Sequence, residues 1–141
     1  MQSLKISLAI ITTVMLLNPA HAADMKIKPG QWEFRSTTSL PTPGGPREHV
    51  NTQCFADAKI TPETLMKDMQ QGCRLLESDS DGSSMSWKVS CSNSGGEMSG
   101  AGNVTVSGNT LTGAMKMAMS FNGQTMNMDM SWDGKYLGPC P

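Results

Sequence analysis

The sequence predicts a mainly β fold: a single antiparallel meander, curved toward a small barrel, with one short helix and two disulfides. Three observations lead there. Met115, Met117 and Met119 alternate with small or polar residues, Asn122-Gly123 follows, and Met126, Met128 and Met130 alternate again. Asn-Gly between two alternating runs is the strongest short hairpin signal. Four cysteines, Cys54, Cys73, Cys91 and Cys140, occur with no C-x-x-C spacing, so they read as two bridges rather than a zinc site. The remaining alternating segments are joined by links too short for parallel crossovers.

The elements follow in order. Trp32 to Thr38 alternates, with Trp32 and Phe34 on one side and Glu33, Arg35 and Thr37 on the other, which is a strand pattern. Leu40-Pro-Thr-Pro-Gly-Gly-Pro46 suits neither a helix interior nor a central strand, and reads as an exposed loop. His49 to Phe55 is a second strand. Thr61-Pro62 with Glu63 in the first turn is a helix start; Leu65, Met66 and Met69 form its apolar stripe, and Gly72 stops it.

Beyond Gly72 everything reads as sheet. Cys73 to Glu77 is followed by a turn over Ser78 to Ser84. Met85, Trp87, Val89 and Cys91 share one face of the next strand. Roughly Ser99 to Val106 forms another strand, turning at Ser107-Gly108-Asn109. Leu111 to Phe121 and Gln124 to Trp132 make the methionine hairpin. Asp133-Gly134 reads as one more turn, into Lys135-Tyr136-Leu137. A hairpin around Asp81-Gly82 sets Cys73 nearly opposite Cys91, and Cys54–Cys140 follows by elimination among the three possible pairings.

Folding at Asn122-Gly123 opposes Met119 to Met126, Met117 to Met128 and Met115 to Met130, and sets Lys116 against Asp129 on the other face. The register gives one surface lined with thioether sulfur. That surface is either core or a soft-metal site. Thioethers suit Cu(I), which makes Met115, Met117, Met119, Met126, Met128 and Met130 candidate ligands. Against this, methionine fills irregular cores well and packs on aromatics, and Phe121 and Trp132 share the face. After residue 22 the chain has 15 Val, Ile, Leu and Phe against 11 Met, so methionine must do much of the burying.

Residues 1–22 have the pattern of a cleaved signal peptide. Lys5 precedes a mostly apolar stretch from Ile6 to Leu17, and Ala20-His21-Ala22 fits the cleavage pattern. Residues 23–141 then form a single β-rich domain with 10 basic and 12 acidic residues. No basic field exists to attract nucleic acid or anionic lipid, and no later segment is apolar enough to span a membrane. His49, the one histidine left, could add a nitrogen ligand, although beside a Pro-rich loop it reads as exposed. Asp79-Ser80-Asp81-Gly82 begins like a calcium loop but lacks the Glu at its twelfth position, and reads as a solvated turn.

Lys28-Pro29-Gly30-Gln31-Trp32-Glu33 directly after the leader, Thr52-Gln53-Cys54 before the short helix, Gly72-Cys73, and the closing Leu137-Gly138-Pro139-Cys140 resemble the landmarks of the bacterial exported proteins of domain-of-unknown-function family 3617. The resemblance covers nearly all of the chain beyond the leader. It implies a secreted or periplasmic protein with four paired cysteines, and no established activity, cofactor or catalytic residue.

No nucleophile elbow, phosphate loop or H-E-x-x-H motif occurs, and oxidised cysteines are not nucleophiles. The expectation is therefore a non-enzymatic periplasmic protein that binds a partner protein or a small apolar ligand, or serves structurally. The alternative is a Cu(I)-binding protein using the methionine ladder.

Overall fold

The computed structural model describes residues 24–61, 63–64, 72–93 and 95–141. Nine strands occur in these residues: β1 (Met25–Lys26), β2 (Gly30–Ser39), β3 (Arg47–Phe55), β4 (Lys59–Ile60), β5 (Cys73–Ser80), β6 (Ser84–Asn93), β7 (Gly96–Ser107), β8 (Thr110–Phe121) and β9 (Gln124–Gly138). Seven of them form one antiparallel sheet in the order β3-β2-β9-β8-β7-β6-β5, while β1 and β4 make a separate two-stranded ribbon. Strands β5 to β9 are the expected meander. The N-terminal hairpin β2–β3 joins that meander through β9, with Trp32 opposite Tyr136 and Ser36 opposite Trp132.

The sheet does not close into a barrel: β3 and β5 remain its two edges. The ribbon takes over the task that closure would perform. The backbone amide of Lys26 donates to the Gly82 carbonyl (2.8 Å), which ties the ribbon to the β5–β6 turn, and that of Ile27 donates to the Ala58 carbonyl (2.9 Å) within the ribbon itself. Met25, Ile27 and Ile60 then pack with Trp32, Met85, Trp87, Val89, Val104, Leu111 and Met115 in a single apolar cluster. A short plug thus covers the apolar face without the strand-to-strand pairing a barrel requires.

The opening motif is a packing device. Trp32 is fully buried, and its Nε1 donates to the Lys28 carbonyl at 2.9 Å. Tyr136 meets the indole edge-on, with ring centroids 5.6 Å apart, and Lys28 Nζ lies 4.1 Å from the centre of the Tyr136 ring. Gly30 sits at φ +141°, and a Cβ there would collide with the Gly138 carbonyl and Tyr136. Only glycine meets both demands.

Both disulfides are present. Cys73 and Cys91 are direct register partners, and Cys54 and Cys140, with Cα atoms 5.6 Å apart, tie the end of the chain to β3. Two disulfides are compatible with an oxidising extracellular compartment.

Two expected elements stand differently. Asp133-Gly134 is not a turn, because β9 runs unbroken from Gln124 to Gly138. Gly134 is needed for packing: a Cβ there would lie 2.9 Å from Phe34 Cε1 and 3.1 Å from Leu111 Cβ. At the expected helix start, the Thr64 amide donates to Thr61 Oγ1 (3.2 Å) and to the Thr61 carbonyl (3.0 Å), the bonds of an N-cap. Pro62, Leu65, Met66 and Met69, on which the rest of that helix would rest, lie outside the described residues, as does the 1–22 leader.

Candidate functional site

Strand register sorts the inner face into rows running across the sheet. One row is Trp132, Gly113, Val104 and Met85, and the next is Met130, Met115, Gly102 and Trp87. Then come Met128, Met117, Gly100, Val89 and Leu75, and finally Met126, Met119, Met98, Cys91 and Cys73. Aromatic rings stand at one end of this face and sulfur at the other.

At the aromatic end two glycines make room for two indoles. A Cβ on Gly102 would collide with the Trp87 ring, and one on Gly113 with the Trp132 ring. Each indole therefore lies flat across the strand beside its own. Although β6 and β9 are three positions apart in the sheet, the two rings come within 6.2 Å, centroid to centroid, and stack at 29°. Beside them a cleft of about 390 Å³ opens between the sheet and the ribbon. Its walls are Phe34, Phe55, Trp87, Val104, Leu111 and Trp132 from the sheet and Met25 and Ile60 from the ribbon, with Asn51, Gln53 and Thr64 as the polar contribution. Six of the seven sheet strands reach this one space, so the sheet wraps around it. That volume lies in the range of small-molecule sites, and so does the mix of aromatic wall and few polar groups. Trp87 Nε1 is buried without an acceptor among the described residues.

At the other end the methionine register is the one the Asn122-Gly123 turn dictates: Met115 opposes Met130, Met117 opposes Met128 and Met119 opposes Met126. Asn122 and Gly123 have φ of 49° and 77°, as a two-residue hairpin turn of this hand requires. Lys116 Nζ lies 4.0 Å from Asp129 Oδ1 on the outer face, with both side chains well exposed. Burial divides the six methionines. Met115 is 7% exposed and belongs to the core, and Met117 and Met130 pack against that core. Met119 and Met126, at the hairpin tip, are 41% and 42% exposed, and Phe121 beyond them is 58% exposed. The face is thus core at its base and open surface at its tip. Phe121 supplies no buried contact to the ladder, because the sheet has no covering element over the tip among the described residues.

Among the described residues no ionisable side chain lines the cleft. Among the described residues no group of three or more His, Cys, Asp or Glu side chains is placed to hold a metal ion. His49 is exposed on the edge strand β3, and its carbonyl accepts from Ser36 Oγ at 3.3 Å. Asp81 organises the β5–β6 turn: its Oδ1 accepts from the amides of Ser84 (2.7 Å) and Ser83 (2.9 Å) and from Ser83 Oγ (3.0 Å). These bonds, the one from Ser84 foremost, hold the Asp81 carboxyl below its ordinary value.

Reasoning from sequence missed the cleft and Met98. The spacing Met98, Gly100, Gly102, Val104 is the alternation that puts all four on one face, but a strand begun at Ser99 leaves Met98 out; β7 begins at Gly96. The cleft is assembled from elements distant in sequence, so no local pattern announces it.

Fold and face together define a disulfide-braced, open antiparallel sheet capped by a small ribbon over an aromatic cleft. The chain belongs to the family described as protein of unknown function (DUF3617), which matches residues 27–140. No curated protein and no solved structure matches it significantly. Among the described residues no helix is long and apolar enough to cross a membrane.

Proposed function

We propose that this chain is an exported, non-catalytic binding module of the cell envelope, and that the cleft beside Trp87 and Trp132 takes a small apolar molecule with a flat ring. The observation that carries the reading is the cleft itself: a space of about 390 Å³ walled by four aromatic side chains, with no ionisable side chain in its lining among the described residues. General acid–base chemistry requires a titratable group within reach of the reacting atom, and among the described residues the cleft offers none. Asn51, Gln53 and Thr64 give a ligand a few polar contacts that fix its orientation. The leader pattern and the two disulfides support export.

Titration with a neutral naphthalene-type fluorophore tests the reading. The expected result is saturable, one-to-one binding with energy transfer from tryptophan. Asn51 is exposed on an edge strand, so Asn51→Trp should fold and fill the cleft, weakening binding by roughly tenfold or more. Binding that is absent, unsaturable or indifferent to Asn51→Trp would overturn it.

A further inference from the structure

We propose that Met98, Met119 and Met126 form a binding site for one soft monovalent cation, Cu(I) in its biological setting. The site lies on the same face as the aromatic cleft, but Met126 and Trp132 are six positions apart on β9, a distance of about 20 Å along the strand. The two sites therefore stand or fall independently.

Strand register carries the argument. Met98 on β7 is the partner of Met119 on β8, and Met119 is the partner of Met126 on β9. Three thioethers thus occupy adjacent positions on three consecutive strands, on one face. Directly opposed side chains have Cβ atoms about 4.5–5.5 Å apart. A methionine side chain has three rotatable bonds, so the three sulfurs can converge on one ion between the strands without moving the backbone.

Burial argues that packing is not what these side chains do. Methionine fills gaps in a core, and Met115, over Gly100, does so here: a Cβ on that glycine would lie 2.6 Å from Met115 Cε. Met119 and Met126 are more than two-fifths exposed and so fill no gap in the core, and Met98 beside them is half-buried. Two large apolar side chains facing solvent, with a half-buried third beside them, are not explained by core packing, whereas a thioether row open to solvent on one side is reachable by an ion.

Donor chemistry selects the ion. Three neutral sulfurs give no charge to hold calcium, magnesium or zinc, and suit Cu(I) and Ag(I). The nearest acid of the hairpin, Asp129, is on the opposite face and paired with Lys116. Met117 and Met128, half-buried in the next row, bound the site below.

Ag(I) is the probe of choice, because it needs no reductant that would open the disulfides. Protein with both disulfides formed is titrated with Ag(I) in chloride-free buffer, with stoichiometry read by native mass spectrometry and sites by the ε-methyl resonances of 13C-labelled methionine. One ion should bind with submicromolar affinity, shifting the methyls of Met98, Met119 and Met126 and leaving that of Met115 in place. The triple variant Met98→Leu, Met119→Leu, Met126→Leu should weaken binding by roughly 100-fold or more, and Met115→Leu with Met130→Leu should not. Binding no tighter than micromolar, shifts centred on Met115, or affinity retained in the triple variant would overturn the proposal. So would capture of another protein by this patch with no Ag(I) complex. The methyl shifts are read on the unaltered chain, so the test survives a variant that fails to fold.

Discussion

Gly102 and Gly113 show how much of this molecule depends on side chains that are missing. Each lies beneath an indole, and the stacked Trp87–Trp132 pair exists because both glycines are bare. Gly102→Ala should force the Trp87 ring from its place and cost about 1–3 kcal/mol in urea denaturation, as overpacking of a tight core does. Gly108, where an added Cβ would meet nothing, has no such neighbour, and its constraint is its φ of +60° alone. Methionines divide by the same logic. Met115→Ala should cost about 2–5 kcal/mol, because that side chain is buried in the core, whereas Met126→Ala at the open tip should stay within about 0.5 kcal/mol. The alternation of Met115 to Met119 and of Met126 to Met130 was legible from sequence, since period two is a local signal. Which of the six is buried was not, because the core that takes in Met115 includes Met25, Ile27 and Ile60, far away along the chain.

Among the elements, the register of the β8–β9 hairpin was readable: the Asn122-Gly123 turn fixes it, and the two faces agree on it, although β9 runs on past Trp132 to Gly138. The Lys116–Asp129 pair adds little to it, about 0.2–1 kcal/mol at most for so exposed a contact. The Asp133-Gly134 dipeptide misled because the same two residues that favour turns also suit a strand where glycine must admit a neighbouring ring, here Phe34. In the β5–β6 turn, Asp81 acts through its ionised form. Its carboxyl titrates below the ordinary 3.8 when folded. The bonds to Ser83 and Ser84 therefore stabilise the fold fully above that value, and the contribution is lost as pH falls through the lower folded value. Urea midpoints of the parent and Asp81→Ala should differ at neutral pH, and the difference should shrink in strong acid. A constant difference at every pH would show that the carboxylate charge is not what matters.

For the whole molecule, the placement of the N-terminal hairpin beside β9 could not be read locally, because pairing between strands some hundred residues apart leaves no nearby pattern. The cysteines gave the one long-range clue: Cys54–Cys140, separated by 86 residues, ties β3 to the end of the chain just beyond β9. Replacing both by serine should lower stability by about 2–4 kcal/mol while leaving the sheet order intact. The central claim is that the ribbon-capped inner face holds a small apolar ligand between its aromatic walls. Three tryptophans allow a direct test, because Trp87 and Trp132 line the cleft while Trp32 is sealed, its N–H held by the Lys28 carbonyl. The measurement is the 15N–1H spectrum of the three indole groups during titration with the naphthalene-type probe. The account predicts saturable shifts at Trp87 and Trp132 with Trp32 unmoved; no shift at any indole, or equal shifts at all three, would contradict it.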